Sequence, residues 1–106
     1  MRERVAAFDV NEMRDAAKTV SALLRVLANE DRLLLLCQLT SGEKSVGELE
    51  AHLDIRQPTL SQQLAVLRSE GAVTTRREGK RIYYAVTDPK VLALLNSLYM
   101  LYCKNE

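Results

Sequence analysis

The stretch Gln57-Pro58-Thr59-Leu60-Ser61-Gln62-Gln63-Leu64-Ala65-Val66-Leu67-Arg68-Ser69-Glu70-Gly71 decides the fold. Leu60, Leu64 and Leu67 recur at i, i+4 and i+7, the spacing of one buried helical stripe. Pro58 suits the first turn, where its missing N–H is not needed, and Gly71 ends the helix. With Leu60 at zero and about 100° per residue, the leucines lie near 340–40°. Pro58, Thr59, Ser61, Gln62 and Ala65 then fall between about 100° and 260°. That outer face is short and uncharged, a shape that fits the major groove of duplex DNA. Gln there bonds adenine edges, and Ser or Thr bonds bases or phosphates. Gln57, at the helix start, is placed for a base or a phosphate.

Working upstream, Ser45 with Glu48 three residues on is a capping box. It opens a short helix with Val46, Leu49 and Leu53 inward, and residues 54–57 form a turn. The helices at about 45–53 and 57–70 have helix-turn-helix spacing. Downstream the period changes to two. Residues 73–77 and 81–86 are β-prone runs around Glu78-Gly79, with Ile82, Tyr84 and Val86 on one face, which reads as a two-stranded hairpin with a basic tip. A hairpin directly after such a helix pair is a wing.

Further out, residues 11–28 form an amphipathic helix through Met13, Ala16, Ala17, Val20, Leu23, Leu24 and Leu27. Asn29 caps a second helix, with Glu30 and Asp31 in its first turn. That helix is apolar nearly all round through Leu33-Leu34-Leu35-Leu36-Cys37 and Leu39, which predicts a central position, and Ser41-Gly42 stops it. Thr87-Asp88-Pro89 opens a last helix that ends near Lys104. The expected fold is mainly α with a small β-hairpin, a winged helix-turn-helix in the order helix, helix, helix, helix, hairpin, helix. Residues 1–106 are expected to form one domain, with the helix-turn-helix at about 45–70, the wing at about 73–86 and dimerisation helices at about 11–28 and 88–104.

The chain has 106 residues, 47% hydrophobic and 27% charged, an ordinary globular composition. At 12.0 kDa, size scaling gives about 6,000 Å² of folded surface and roughly 65% burial on folding. That suffices for one core but not for a large catalytic cleft. Two cysteines do not make a disulfide scaffold. The start carries acids and no apolar run, and residues 91–103 are too short for the ~18 residues of a membrane span. A cytoplasmic protein without a membrane partner is expected. No Gly-rich phosphate loop, metal motif or His beside a nucleophile is present, so neither an enzyme nor a cofactor is expected.

The net charge of +1 hides an uneven distribution. Residues 1–55 sum to −3, residues 56–81 to +4 and residues 82–106 to zero. A compact basic segment in a near-neutral chain is the footprint of a face that meets a polyanion. Arg77, Lys80 and Arg81 on the hairpin would hold flanking phosphates or enter the minor groove. The plain alternative is a solvated face with incidental charges.

Of the 13 residues from Val91 to Cys103, 11 are hydrophobic. A terminal helix of a small domain cannot bury that much of its circumference against one neighbour, so a partner must cover it. The alternative is a helix threaded through the domain's own core. A twofold pair of reading helices would bind a palindrome with half-sites about one turn apart.

Three segments together closely resemble the ArsR/SmtB family of bacterial repressors: residues 27–33, residues 57–71, and Arg76-Arg77-Glu78-Gly79-Lys80-Arg81-Ile82-Tyr83-Tyr84. The resemblance covers nearly the whole chain, with Gln63 standing where many members have His. It implies a homodimeric winged-helix repressor that leaves palindromic operator DNA when an inducer binds. It also puts the first and last helices at the dimer interface, and Gln57, Thr59, Ser61 and Gln62 on base- and phosphate-contacting positions.

Many members sense metal through thiolates in the first helix of the pair. The matching positions here are Ser45, Gly47 and Glu50, so that soft site is missing. Others use Asp, His and Glu on the last helix. Only Asp88 matches; the other positions are Lys90, Leu101 and Lys104. His52, the single histidine, has no obvious partners, and no metal site is expected.

Composition alone reads Cys37 and Cys103 as inert thiols in apolar helices. The resemblance to the BigR/SqrR-like subgroup implies instead a reactive pair. That subgroup carries one cysteine in the second helix and one near the end of the last. It is identified with sensing of sulfide-derived persulfides and oxidants, which implies control of sulfur-detoxification genes. Two alternatives stay open: an inducing metal or small ligand at an unrecognised site, and a winged-helix module that binds protein rather than DNA.

Overall fold

The computed structural model describes residues 7–103. The acid-bearing start and Lys104, where the sequence reading ends the last helix, lie outside the described residues.

Helix α1 (Val10–Leu27) starts at Asp9, whose carboxylate accepts from the N–H groups of Asn11 at 2.9 Å and Glu12 at 3.3 Å. Helix α2 (Glu30–Gln38) is capped by Asn29, which accepts from the Arg32 N–H at 3.0 Å. Leu35 and Leu36 are fully buried, but Leu34 is 43% exposed. The second helix is therefore central on one side only, and its run of four leucines overstates its burial. A 3-10 turn (Leu39–Ser41) follows, and Gly42 at φ 140° redirects the chain.

Strand β1 (Lys44–Ser45) leads directly into α3 (Val46–Leu53). The capping box is present: the Ser45 N–H donates to Glu48 Oε1 at 2.8 Å, and the Glu48 N–H donates to Ser45 Oγ at 3.2 Å. Helix α4 (Thr59–Ser69) begins about two residues later than the sequence suggests. Pro58 stands at the cap position and makes no side-chain cap bond. Past the far end, Gly71 adopts φ 76°, and the Ala72 N–H donates to Leu67 O at 2.9 Å. This left-handed residue with a six-to-one bond is a Schellman ending, which glycine makes without steric cost.

Strands β2 (Thr74–Glu78) and β3 (Arg81–Ala85) form the wing, with Arg76 opposite Tyr83 and Glu78 opposite Arg81. The sheet has three strands in the order β1-β3-β2, because Lys44 and Ser45 pair with Tyr84 and Tyr83. The expected two-stranded hairpin is thus joined to the base of α3. A two-residue strand has no alternation to read, so the sequence gives no sign of β1. Helix α5 (Pro89–Tyr102) is capped by Asp88, which accepts from the Lys90 N–H at 2.9 Å.

The core collects Leu35, Leu36, Leu39, Leu49, Leu60, Leu64, Leu67 and Leu95, each almost fully buried. Each leucine removed from water stabilises the fold by about 1.5–3 kcal/mol. The outer helices are different. On α5 only Val91 and Leu95 are buried, while Leu101 and Tyr102 are 74% and 79% exposed. On α1, Val10, Met13, Val20 and Leu24 are exposed. The last helix is therefore not threaded through the core of its own chain. The accessible surface is 8002 Å², against about 6,000 Å² for a compact monomer of this mass. The radius of gyration is 16.0 Å, against about 13 Å for a compact chain of this length.

Candidate nucleic-acid interface and thiol pair

The buried stripe of α4 is the one its spacing requires: Leu60, Leu64 and Leu67 face the core. Ser61, Gln62 and Ala65 are therefore exposed, and Thr59 is half-buried at the start of the helix. Gln57 takes over the capping that Pro58 cannot perform. Its Oε1 accepts from the Ser61 N–H at 3.1 Å and from Ser61 Oγ at 2.6 Å. This bond was not legible in the sequence, where Gln57 and Ser61 look like independent solvent-facing groups.

Two shallow grooves flank α4. One is lined by Asp31, Arg56, Gln57 and Thr59. The other is lined by Ser61, Ala65, Arg68 and Tyr84. They bring Arg56 and Arg68 beside the polar residues of α4. Both arginines belong to the basic segment, but the pattern gave no reason to single them out. A third cleft between α3 and the wing contains His52, Lys80 and Arg81.

The wing divides its cations in two. Arg76 is spent internally: its guanidinium holds Glu43 at 2.8 Å and Glu78 at 2.9 Å. It also lies 4.7 Å from the centre of the Tyr83 ring. The hydrogen bond from Arg76 holds the Glu43 carboxyl below the usual carboxylate range, and the bonds to Glu43 and Glu78 push the Arg76 guanidinium up. Arg77, Lys80 and Arg81 are exposed and form no ion pair with any described residue. Gly79 takes φ 63° at the tip, where a left-handed residue closes the hairpin.

Both cysteines are free thiols. Cys37, half-buried on the last turn of α2, opens into a cleft with Leu34, Leu53, Leu95, Asn96 and Tyr99. Cys103 is exposed at the end of α5, where its N–H donates to Tyr99 O at 2.8 Å. It thus lies one helical turn beyond the residue that walls the Cys37 cleft. Burial pushes the Cys37 thiol up, and the negative charge of a Cys103 thiolate pushes it further.

His52 accepts or donates only locally, with Nδ1 2.7 Å from Glu48 O. Among the described residues, no group of three His, Cys, Asp or Glu side chains could hold a metal ion. No described helix is long and apolar enough to cross a membrane.

Comparison with known proteins bears on this arrangement directly. The model of bacterial regulatory proteins of the arsR family matches residues 29–75. The biofilm growth-associated repressor of Agrobacterium fabrum is 54% identical over 94 residues, spanning 89% of this chain and 80% of that protein. The chain belongs to the ArsR family.

Within the ArsR family its similarity is to the BigR-like members. The crystal structure of the transcriptional repressor BigR from Xylella fastidiosa matches with a TM-score of 0.86 at 47% identity, covering 92% of this chain and 100% of that one. The transcriptional activator HlyU of Vibrio cholerae is 40% identical over 99 residues, 93% of this chain and 92% of that protein. The winged-helix architecture expected from the sequence is the one these ArsR-family structures share. The relatives are transcription regulators, not enzymes.

Proposed function

We propose that the chain is a homodimeric repressor of transcription. It would grip palindromic operator DNA through α4 and the wing, and leave it when a persulfide or another oxidant links Cys37 to Cys103. DNA contact falls to Gln57, Thr59, Ser61 and Gln62 on the reading helix and to Arg77, Lys80 and Arg81 on the wing. Membership of a family of bacterial regulators and the uncharged outer face of α4 support that part. Binding to the chromosome makes it a cytoplasmic protein. The genes controlled are those of sulfide and sulfur detoxification, a reading that extends the likeness to BigR-like repressors.

The second copy covers α1 and α5. The exposed apolar residues on these helices support this. So does a surface about a third larger than a compact chain of this mass would have.

The proximity of Cys103 to the Cys37 cleft carries the sensing half. The exposed Cys103 thiolate attacks the outer, sulfane sulfur of a persulfide RSSH. The S–S bond of RSSH breaks, the thiolate RS⁻ leaves, and Cys103 becomes a persulfide. The Cys37 thiolate then attacks the sulfur of Cys103, a disulfide forms and hydrosulfide leaves. Two protein thiols lose two electrons, and the persulfide is reduced to thiol and hydrosulfide. Where both cysteines have first taken a sulfur, loss of hydrogen sulfide leaves a trisulfide. Either link ties α2 to the end of α5 and favours the protomer arrangement that does not fit DNA.

Mass spectrometry after persulfide treatment, with operator binding followed in parallel, tests the proposal. An intramolecular Cys37–Cys103 link that appears as DNA is released supports it. Normal release by Cys37→Ser refutes the dithiol switch. Equal affinity for promoter and random duplex refutes specific repression.

A further inference from the structure

Gln63 sits on the flank of α4, half-buried, between the leucine stripe and the outer face. Its Oε1 accepts from Arg32 Nη1 at 3.0 Å. The same guanidinium donates through Nε to Val26 O at 2.8 Å and through Nη2 to Arg25 O at 3.2 Å. Both carbonyls belong to the last turn of α1, where helical donors run short; the Arg25 carbonyl has in addition only the Ala28 N–H, at 3.3 Å. The backbone N–H of Arg32 is itself taken by the Asn29 cap. One side chain on α2 thus ties the end of α1 to the middle of α4.

Val26 and Leu27 of α1 share the buried core with Leu60, Leu64 and Leu67 of α4, but the flank that carries Gln63 and Arg32 is open. Helices α1 and α4 face each other across an open groove lined by Ala22, Arg25, Val26, Arg32, Val66 and Glu70. A guanidinium is a rigid planar fork. With two arms fixed on carbonyls, the third can satisfy an acceptor at only one place, and Gln63 supplies it.

We infer that Arg32 is a positioning residue for the reading helix: seated on the last turn of α1, it fixes the pose of α4 through Gln63. The inference rests on the DNA-reading role proposed above for α4. Gln63 then contributes to operator affinity without touching a base or a phosphate. Because α1 carries part of the proposed dimer face, the same bracket joins the protomer contact to the reading helix.

The test measures affinity for the chain's own promoter duplex and for a random duplex at several salt concentrations, with urea midpoints alongside to separate loss of fold. Gln63→Leu should weaken promoter binding by about tenfold, the scale of one lost hydrogen bond to a charged group. The salt dependence should not change, since no phosphate contact is lost. Arg32→Lys should weaken binding similarly, and the double variant should be no weaker than either single one. Gln63→Glu keeps the acceptor and should stay within about threefold of the native chain, its charge paired with Arg32.

Native affinity in Gln63→Leu, or losses that multiply in the double variant, would overturn the inference. So would a Gln63→Glu protein that fails to bind with its fold intact, because that marks direct contact with phosphate. If the native chain prefers no duplex at all, the DNA-reading role itself fails, and the inference falls with it.

Discussion

The carboxamide oxygen of Gln57 and the hydroxyl of Ser61 are joined at 2.6 Å. The hydroxyl proton is spent on that oxygen, so on the proposed DNA face Ser61 would present its lone pairs and Gln57 its amide N–H donors. Ser61→Ala removes the hydroxyl and leaves Gln57 Oε1 with only the backbone N–H. We expect altered base preference near the reading helix with an unchanged salt dependence. A good bidentate side-chain contact discriminates by about 1–3 kcal/mol. Anisotropy titrations against single-base-pair variants of the promoter check this; an unaltered preference profile would count against it.

The division of wing cations gives a second expectation. Arg77→Ala and Lys80→Ala should each weaken binding alike on promoter and random duplex, and each should lower the salt slope by about one. Arg76→Ala should leave that slope unchanged, because Glu43 and Glu78 already hold its charge. Logarithmic plots of affinity against salt separate the two classes. A slope lowered equally by Arg76→Ala would show that its clamp opens on DNA.

The third expectation concerns Cys37. Its thiol is pushed up first by burial and then by Cys103, so its alkylation rate should rise only at a pH above that of an ordinary cysteine. Cys103→Ser removes the second cause and should move that rise part of the way back down; an unmoved midpoint would refute the coupling. For stability the sign follows from the raised value. The folded state keeps the proton longer than the unfolded state does, so the contribution is intact below pH ~9. It is lost as the pH climbs from there through the folded pKa. Urea midpoints of the native chain and Cys37→Ser across that window read this out.

Much of this site was legible in the sequence, and the limits have physical causes. The leucine stripe of α4, the capping box at Ser45 and the basic tip of the wing follow from local spacing, and the structure has all three. The bonds of Gln57 to Ser61, Arg32 to Gln63 and Arg76 to Glu43 depend on where flexible side chains meet. The last two join residues 31 and 33 positions apart, and no periodicity records such pairs. Strand β1 was invisible because two residues carry no pattern. The pairing of Cys37 with Cys103 was an expectation from family resemblance alone, since spacing along a chain does not fix a distance in space.

A fourth expectation addresses the uncovered helices. Leu101→Glu places a charge on the exposed end of α5 without disturbing the core, so the protomer should keep its helical content and its urea midpoint at low concentration. A charge in an apolar contact is costly unless paired, and sedimentation velocity should show monomers at concentrations where the native chain is a dimer. An unchanged sedimentation coefficient would place the contact elsewhere.

The pairing of Lys44 and Ser45 with Tyr84 and Tyr83 has a mechanical outcome. It joins the root of the hairpin to the front of α3, which ties the base of the wing to the two helices behind it. In the proposed dimer each protomer would then meet its half-site as a stiff key. On that proposal release should be abrupt, with groove and backbone grip vanishing in one step rather than slackening by stages, and spacing between the two keys would be the variable left to adjust.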